Sequence, residues 1–90
     1  MISLIIPVYN NELTLNEFYE KMTLVLKKNE QNYEMIFVDD ASQDRSFRIL
    51  EALHQRDRRI KIIKLKKNFG QSFALLVIAI VVILIRVIHG

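Results

Sequence analysis

Three short apolar runs set the frame for this chain. They are Ile2–Val8, Tyr33–Val38 and Ile60–Leu65, each separated from the next by more than twenty residues. The first, ISLIIPV, is nearly continuous and rich in β-branched residues, the pattern of a strand covered on both faces. Pro7 has no N–H to give to a ladder and so marks that strand's end. The intervening segments are too long for hairpins and carry helical spacing, so the order reads β-α-β-α-β. That order asks for parallel strands joined by right-handed crossovers, with helices packed on the sheet. Ninety residues allow one domain. So short a chain buries only a modest part of its unfolded surface, which argues against a self-contained enzyme with a deep cleft.

The first helix is expected over about 14 to 28. Thr14 suits an N-cap and Glu17 three residues on completes a capping box, while Leu13 and Phe18 are placed to form a hydrophobic staple. Leu15, Phe18, Met22, Val25 and Leu26 keep helical spacing, and Lys27-Lys28 suits the negative end of the helix dipole. Asn29 to Asn32 reads as a polar loop. A polar turn, Ala41-Ser42-Gln43-Asp44, leads into a second helix over about 44 to 56, with Phe47, Leu50, Leu53 and His54 on one side and Ile49 beside them. Lys61 and Lys64 place the third strand nearer a sheet edge. Lys66 to Gly70 reads as a turn, with a further helix beginning near Gln71. There is no internal repeat and no low-complexity linker.

Composition removes several classes. A chain that is 51% hydrophobic and 26% charged is globular rather than disordered. No cysteine means no disulfide scaffold, thiol catalysis or cysteine-based zinc motif. Two histidines, His54 and His89, are too few for a histidine-rich metal site. No basic residue precedes the first apolar run, so it is not a signal peptide, and a cytoplasmic location is expected. From Phe73 to Ile85 thirteen apolar residues follow without interruption, seven of them Val or Ile. A membrane-spanning helix needs about 20, so this run is too short to span and favours strand or aggregation over an isolated helix.

Ligands of an open parallel sheet bind outside the carboxyl ends of its strands. Two polar clusters fall there: Pro7-Val8-Tyr9-Asn10-Asn11-Glu12 after the first strand, and Asp39-Asp40-Ala41-Ser42 after the second. Adjacent parallel strands bring them side by side. Tyr9 offers an aromatic face and a phenol, Asn10 a donor and an acceptor, Glu12 and Asp40 acceptors, a set that suits a nucleobase and ribose. With only two glycines, Gly70 and Gly90, there is no glycine-rich phosphate cradle. Plainer readings stand beside this one. Tyr9-Asn10 is also an ordinary turn, the aspartate pair before Ser42 an Asx turn and helix cap, and Asp44 a helix-dipole partner. His54 reads as a packing or solvent-facing residue.

Arg56 to Lys67 holds seven of the thirteen Lys and Arg residues against one acid, Asp57. No aromatic residue interleaves them, so nucleic acid ranks below two alternatives. A solvated strand face comes first. A surface lying on anionic lipid, worth roughly 1 kcal/mol per basic residue, comes second.

Taken together, Ile5-Ile6-Pro7-Val8-Tyr9-Asn10, Ile36-Phe37-Val38-Asp39-Asp40-Ala41-Ser42 and Asn68-Phe69-Gly70-Gln71 resemble the opening of the family 2 glycosyltransferases. The nearest branch moves sugars onto polyprenyl phosphate and is related to the dolichyl-phosphate mannose synthases. The resemblance covers about residues 2 to 75. It implies the Rossmann-like β-α-β-α-β half of a GT-A fold, with 1–75 as its nucleotide-binding part and 76–90 as an apolar tail. It also implies a UDP- or GDP-sugar as donor, with Pro7, Tyr9, Asn10, Glu12, Val38 and Asp40 around base and ribose and Asp39 supporting that wall. Many members carry Glu where Asn11 stands, which either shifts the acidic contact to Glu12 or weakens it.

Family members continue to an Asp-x-Asp strand that holds magnesium or manganese, and then to an acidic catalytic base. No acidic residue follows Asp57 here. A diphosphate leaving group without a metal or cationic substitute is poorly stabilised. The expectation is therefore a truncated or frameshifted glycosyltransferase, with no metal or catalytic residue of its own and inactive alone. It acts in the cytoplasm, at the inner face of the membrane if lipid phosphate is the acceptor, and takes no nucleic acid. The alternatives are a nucleotide-sugar binding module completed by a partner, or a small membrane-associated protein.

Overall fold

The three apolar runs become three strands with two helices between them in a computed structural model of the chain, which describes residues 2–29 and 32–66. The elements are β1 (Ile2–Val8), α1 (Leu15–Lys28), β2 (Tyr33–Asp39), α2 (Ser46–Arg56) and β3 (Ile60–Lys64). Both strand pairs are parallel, in the order β1-β2-β3. The expected β-α-β-α-β arrangement is the one found, and among the described residues β3 lies at an edge as its lysines indicated.

Side chains alternate across a strand, so Tyr33, Met35 and Phe37 share one face of β2. Strands added successively in one direction through right-handed crossovers place both helices on that face. The core lies there: Val8, Met35, Phe37 and Ile60 from the strands pack with Leu15, Tyr19 and Leu26 of α1 and Leu50 and Leu53 of α2. Burying each large apolar side chain stabilises the fold by about 1.5–3 kcal/mol. The Phe18 and Phe37 rings meet edge to face at 6.3 Å and 84°, a geometry worth about 0.5–1.5 kcal/mol beyond the area buried. On the opposite face Ser3 donates to Glu34 Oε1 at 2.8 Å, and Ile36 and Val38 are buried. The central strand is thus covered on both sides, which is why YEMIFV shows no polar alternation.

The helix starts depart from expectation. Thr14 makes no side-chain cap hydrogen bond, and its hydroxyl donates to the Asn11 carbonyl at 3.3 Å. That carbonyl also accepts the N–H groups of Thr14 and Leu15, both at 3.1 Å. A turn over 11–14 therefore replaces the capping box and α1 begins at Leu15. Glu17 pairs instead with Lys21 one helical turn on, at 2.7 Å. The staple does not form, because Leu13 is 92% exposed while Phe18 turns inward. Val25 is exposed, and Tyr19 and Thr23 take the buried stripe beside Leu15 and Leu26. The second helix begins at Ser46, two residues late, since residues 43–45 form a turn tied down by the Asp44 carboxylate.

His54 Nδ1 lies 2.7 Å from the Ile60 carbonyl. A carbonyl only accepts, so Nδ1 carries the proton and staples the end of α2 to the start of β3. Beyond Lys66, the expected turn to Gly70, the helix from Gln71, the apolar run Phe73–Ile85 and His89 all lie outside the described residues. So does the middle of the loop expected at Asn29 to Asn32.

Candidate functional site

Register brings the two polar clusters together. Val8 pairs with Asp39, so the residues leaving β1 and β2 emerge side by side at the carboxyl edge. Asp40 N–H donates to the Val8 carbonyl at 2.8 Å, carrying the pairing one residue past the ladder. Two residues beyond each strand end the backbone turns left-handed, with φ 51° at Asn10 and 58° at Ala41. Asn tolerates this region, whereas an alanine there carries a penalty of roughly 1–2 kcal/mol. Strain of this kind persists only where the surroundings fix the turn.

The surroundings do fix it. Asn10 N–H donates to Ser42 Oγ at 3.0 Å, and Gln43 N–H donates to Asn10 Oδ1 at 2.9 Å. Glu12 N–H donates to Asp44 Oδ2 at 3.1 Å, and Arg45 N–H donates to Glu12 Oε2 at 3.2 Å. Each pair is reciprocal: a side chain of the first loop holds the backbone of the second, and the reverse. Between them Asn11 N–H donates to Ser46 Oγ at 2.8 Å, and the Asn11 Oδ1 accepts Tyr9 N–H at 2.8 Å. Asp39 Oδ1 accepts Ser42 N–H at 3.2 Å, three residues on rather than the two of an Asx turn.

Asp44 is the hub of the second loop. Burial pulls its carboxyl upward, but hydrogen bonds from the Ser46 hydroxyl and N–H and from Glu12 N–H outweigh that pull and hold it below its ordinary 3.8. It stays ionised as an acceptor for two backbone donors.

The candidate binding residues divide by exposure. Pro7, Tyr9 and Asn10 face solvent, Tyr9 with 46% of its surface open, and Glu12 is half-buried beside them. Val38 and Asp39 have no exposed surface and Asp40 has little. All seven lie at one edge, the three exposed residues and half-buried Glu12 in and after β1 and the buried three in and after β2. Asp39 Oδ2 is buried without a hydrogen-bond partner among the described residues. Sequence reasoning placed Asn11 in the first cluster without giving it a role, and missed Gln43, Arg45 and Ser46 as members of this assembly. Their only signal was a clustering of small polar residues before a helix, which any turn shows.

A groove of about 190 Å³ runs beside the platform, lined by Ile6, Pro7, Val8, Asn11, Thr14, Leu15 and Phe18. It is smaller than the roughly 300–1,000 Å³ of typical ligand pockets and largely apolar. The residues present do not fit a divalent cation: no three His, Asp or Glu side chains converge on one point among the described residues. Glu12, Asp39 and Asp44 each give oxygens to backbone N–H groups instead. No described helix is long and apolar enough to cross a membrane.

The model of the family described as glycosyl transferase family 2 matches residues 3–78. The chain belongs to that family. It is 42% identical over 73 residues to the uncharacterized glycosyltransferase YkcC of Bacillus subtilis, covering 81% of this chain and 23% of that protein. It is 41% identical over 76 residues to the undecaprenyl-phosphate 4-deoxy-4-formamido-L-arabinose transferase of Proteus mirabilis, covering 83% and 23%. Among solved structures it is similar to S. aureus TarS 1-349, with a TM-score of 0.60, 27% identity, and coverage of 77% of this chain and 20% of that one. The family 2 chain therefore spans about a quarter of the length of these relatives. Its parallel sheet and two helices are the Rossmann-like portion of the GT-A fold that the motifs implied.

Proposed function

We propose that residues 1–75 form the nucleotide-binding part of a family 2 glycosyltransferase domain and take the base and ribose of a UDP- or GDP-sugar. By sequence, residues 76–90 are an apolar tail outside that part. The observation that carries this reading is the reciprocal stitching of the two loops at the carboxyl edge, which fixes a rigid rim beside an open Tyr9 ring. Preorganised polar rims at that edge are where open α/β sheets take ligands.

Pro7 and the Tyr9 ring offer the apolar contact to the base, while Asn10, Glu12 and Asp40 present groups to base N–H and ribose hydroxyls. Val38 and Asp39, buried behind them, hold the wall. No group among the described residues is suited to hold a metal for the sugar diphosphate, so nucleotide binding by these two loops is expected without one. Undecaprenyl phosphate in the name of the Proteus mirabilis relative supports polyprenyl phosphate as the acceptor of the complete reaction, and with it work in the cytoplasm at the inner face of the membrane.

Calorimetric titration of UDP, GDP and their sugars, with and without magnesium, tests the reading. Binding of one nucleotide series without metal is expected. Loss of an aromatic stacking contact in Tyr9→Ala weakens it by about 1–3 kcal/mol, roughly fivefold to a hundredfold. Absence of binding to both series at millimolar ligand refutes the assignment. A strict magnesium requirement refutes the metal-free part of it.

A further inference from the structure

We propose that the β3 edge is a docking surface for anionic lipid headgroups, independently of what the carboxyl edge binds. Arg58, Arg59, Lys61, Lys64 and Lys66 follow one another along this edge and are all exposed. Only Arg59 faces a carboxylate, Asp57 at 3.9 Å. Arg58, Lys61, Lys64 and Lys66 form no ion pair among the described residues. Lys61 and Lys64 leave opposite faces of the strand, since their positions differ by three. Positive charge therefore flanks the edge on both sides. Successive cations along the strand stand about 10 Å apart or closer, near the screening length of about 8 Å at physiological salt, so their fields add.

Edge strands often carry lysine simply to block strand addition. Lys61 and Lys64 suffice for that. The row, however, continues past the ladder into Arg58 and Lys66, while Arg59 and Leu65 make its terminal hydrogen bonds, Met35 N–H to the Arg59 carbonyl and Leu65 N–H to the Asp39 carbonyl, both at 2.9 Å. A polyanion is the partner such a row fits, and two observations favour a lipid surface over nucleic acid. No exposed ring lies within the row to stack on bases. Among the described residues the rings that touch the row are already covered by its own cations, Phe47 by Lys64 at 4.1 Å and the buried Tyr33 by Arg59 at 5.2 Å from the ring centre.

Cosedimentation of the full chain with phosphatidylcholine vesicles, with and without phosphatidylglycerol, tests this. Binding is expected only with phosphatidylglycerol and is expected to fall as salt rises from about 0.05 to about 0.5 M. Each basic residue near an anionic surface contributes about fivefold in affinity. Lys61→Gln with Lys66→Gln should therefore weaken binding about twenty-five-fold. Lys21→Gln with Lys28→Gln, on exposed positions of α1, changes net charge equally and should leave binding nearly intact. Circular dichroism checks that each variant folds. Equal losses in the two double variants, or equal binding to neutral vesicles, overturns the proposal. Tighter binding to a DNA duplex than to anionic vesicles at the same salt overturns the choice of lipid.

Discussion

The backbone N–H of Asn11 reaches the hydroxyl of Ser46 across 2.8 Å, and Ser46 has no exposed surface. One buried side-chain oxygen at the first position of α2 thus receives the loop that leaves β1. The same hydroxyl supports Asp44. Ser46→Ala leaves the Asn11 donor without its acceptor in a place water reaches poorly. The expected destabilisation is about 1–3 kcal/mol, read as a lowered urea midpoint with unchanged slope. Nucleotide affinity should fall with it, because the rim loses its central tie.

Ala41 occupies a left-handed conformation at φ 58°. Glycine removes the steric penalty there but enlarges the unfolded ensemble, so Ala41→Gly should change stability by less than about 1 kcal/mol. A β-branched side chain has no such offset. Ala41→Val should destabilise by roughly 1–3 kcal/mol, and thermal unfolding of the two variants side by side separates these outcomes.

These two residues also show where sequence reasoning stopped. The strands were legible because β-branched runs bounded by polar turns admit few other readings, and parallel pairing then dictated that Tyr9 and Asp40 meet at one edge. The left-handed turn at Ala41 was not legible, since alanine carries no preference for it and only the stitching from Asn10 imposes it. Asn10 and Glu12 were read as ligand-facing acceptors. In the structure each gives an oxygen to a backbone N–H 33 residues away, a pairing no local pattern encodes. The Thr14–Glu17 box failed for a similar reason: the Asn11 carbonyl takes both the Thr14 N–H that Glu17 would have capped and the Thr14 hydroxyl that would have capped Glu17.

At the other end of the sheet Tyr19 donates to Asp57 Oδ2 at 2.8 Å. Burial alone raises the Asp57 carboxyl, but the Arg59 N–H, the Tyr19 hydroxyl and the charges of Arg59 and Lys27 outweigh it and hold it below 3.8. Its folded value is depressed, so its contribution is complete above pH 3.8 and is lost as pH falls through the lower folded value. Tyr19 moves the opposite way: burial first, then the Asp57 bond, raises its phenol above 10.0. Its contribution is complete below pH 10.0 and is lost as pH rises through the higher folded value. Asp57→Asn should flatten the acid limb of a stability–pH curve, and Tyr19→Phe the alkaline limb. The double-mutant cycle at neutral pH should give a coupling of about 1 kcal/mol, modest because the pair is partly solvated.

Glu12 allows binding to be separated from scaffolding. Its Oε2 accepts Arg45 N–H at 3.2 Å, and in this exposed bond a glutamine Oε1 can accept the same donor in the same shape, somewhat more weakly. Glu12→Gln therefore keeps the stitch and removes only the charge, so the unfolding midpoint should move by less than about 0.5 kcal/mol. A carboxylate that accepts from ribose hydroxyls or a base N–H makes a stronger hydrogen bond than an amide does. If Glu12 has that second role, calorimetry of the glutamine variant should show nucleotide affinity reduced by about tenfold, or roughly 1.4 kcal/mol. Glu12→Ala breaks the stitch as well and should lower both quantities. Unchanged affinity in Glu12→Gln assigns the residue to the scaffold alone and leaves Tyr9, Asn10 and Asp40 to hold the ligand.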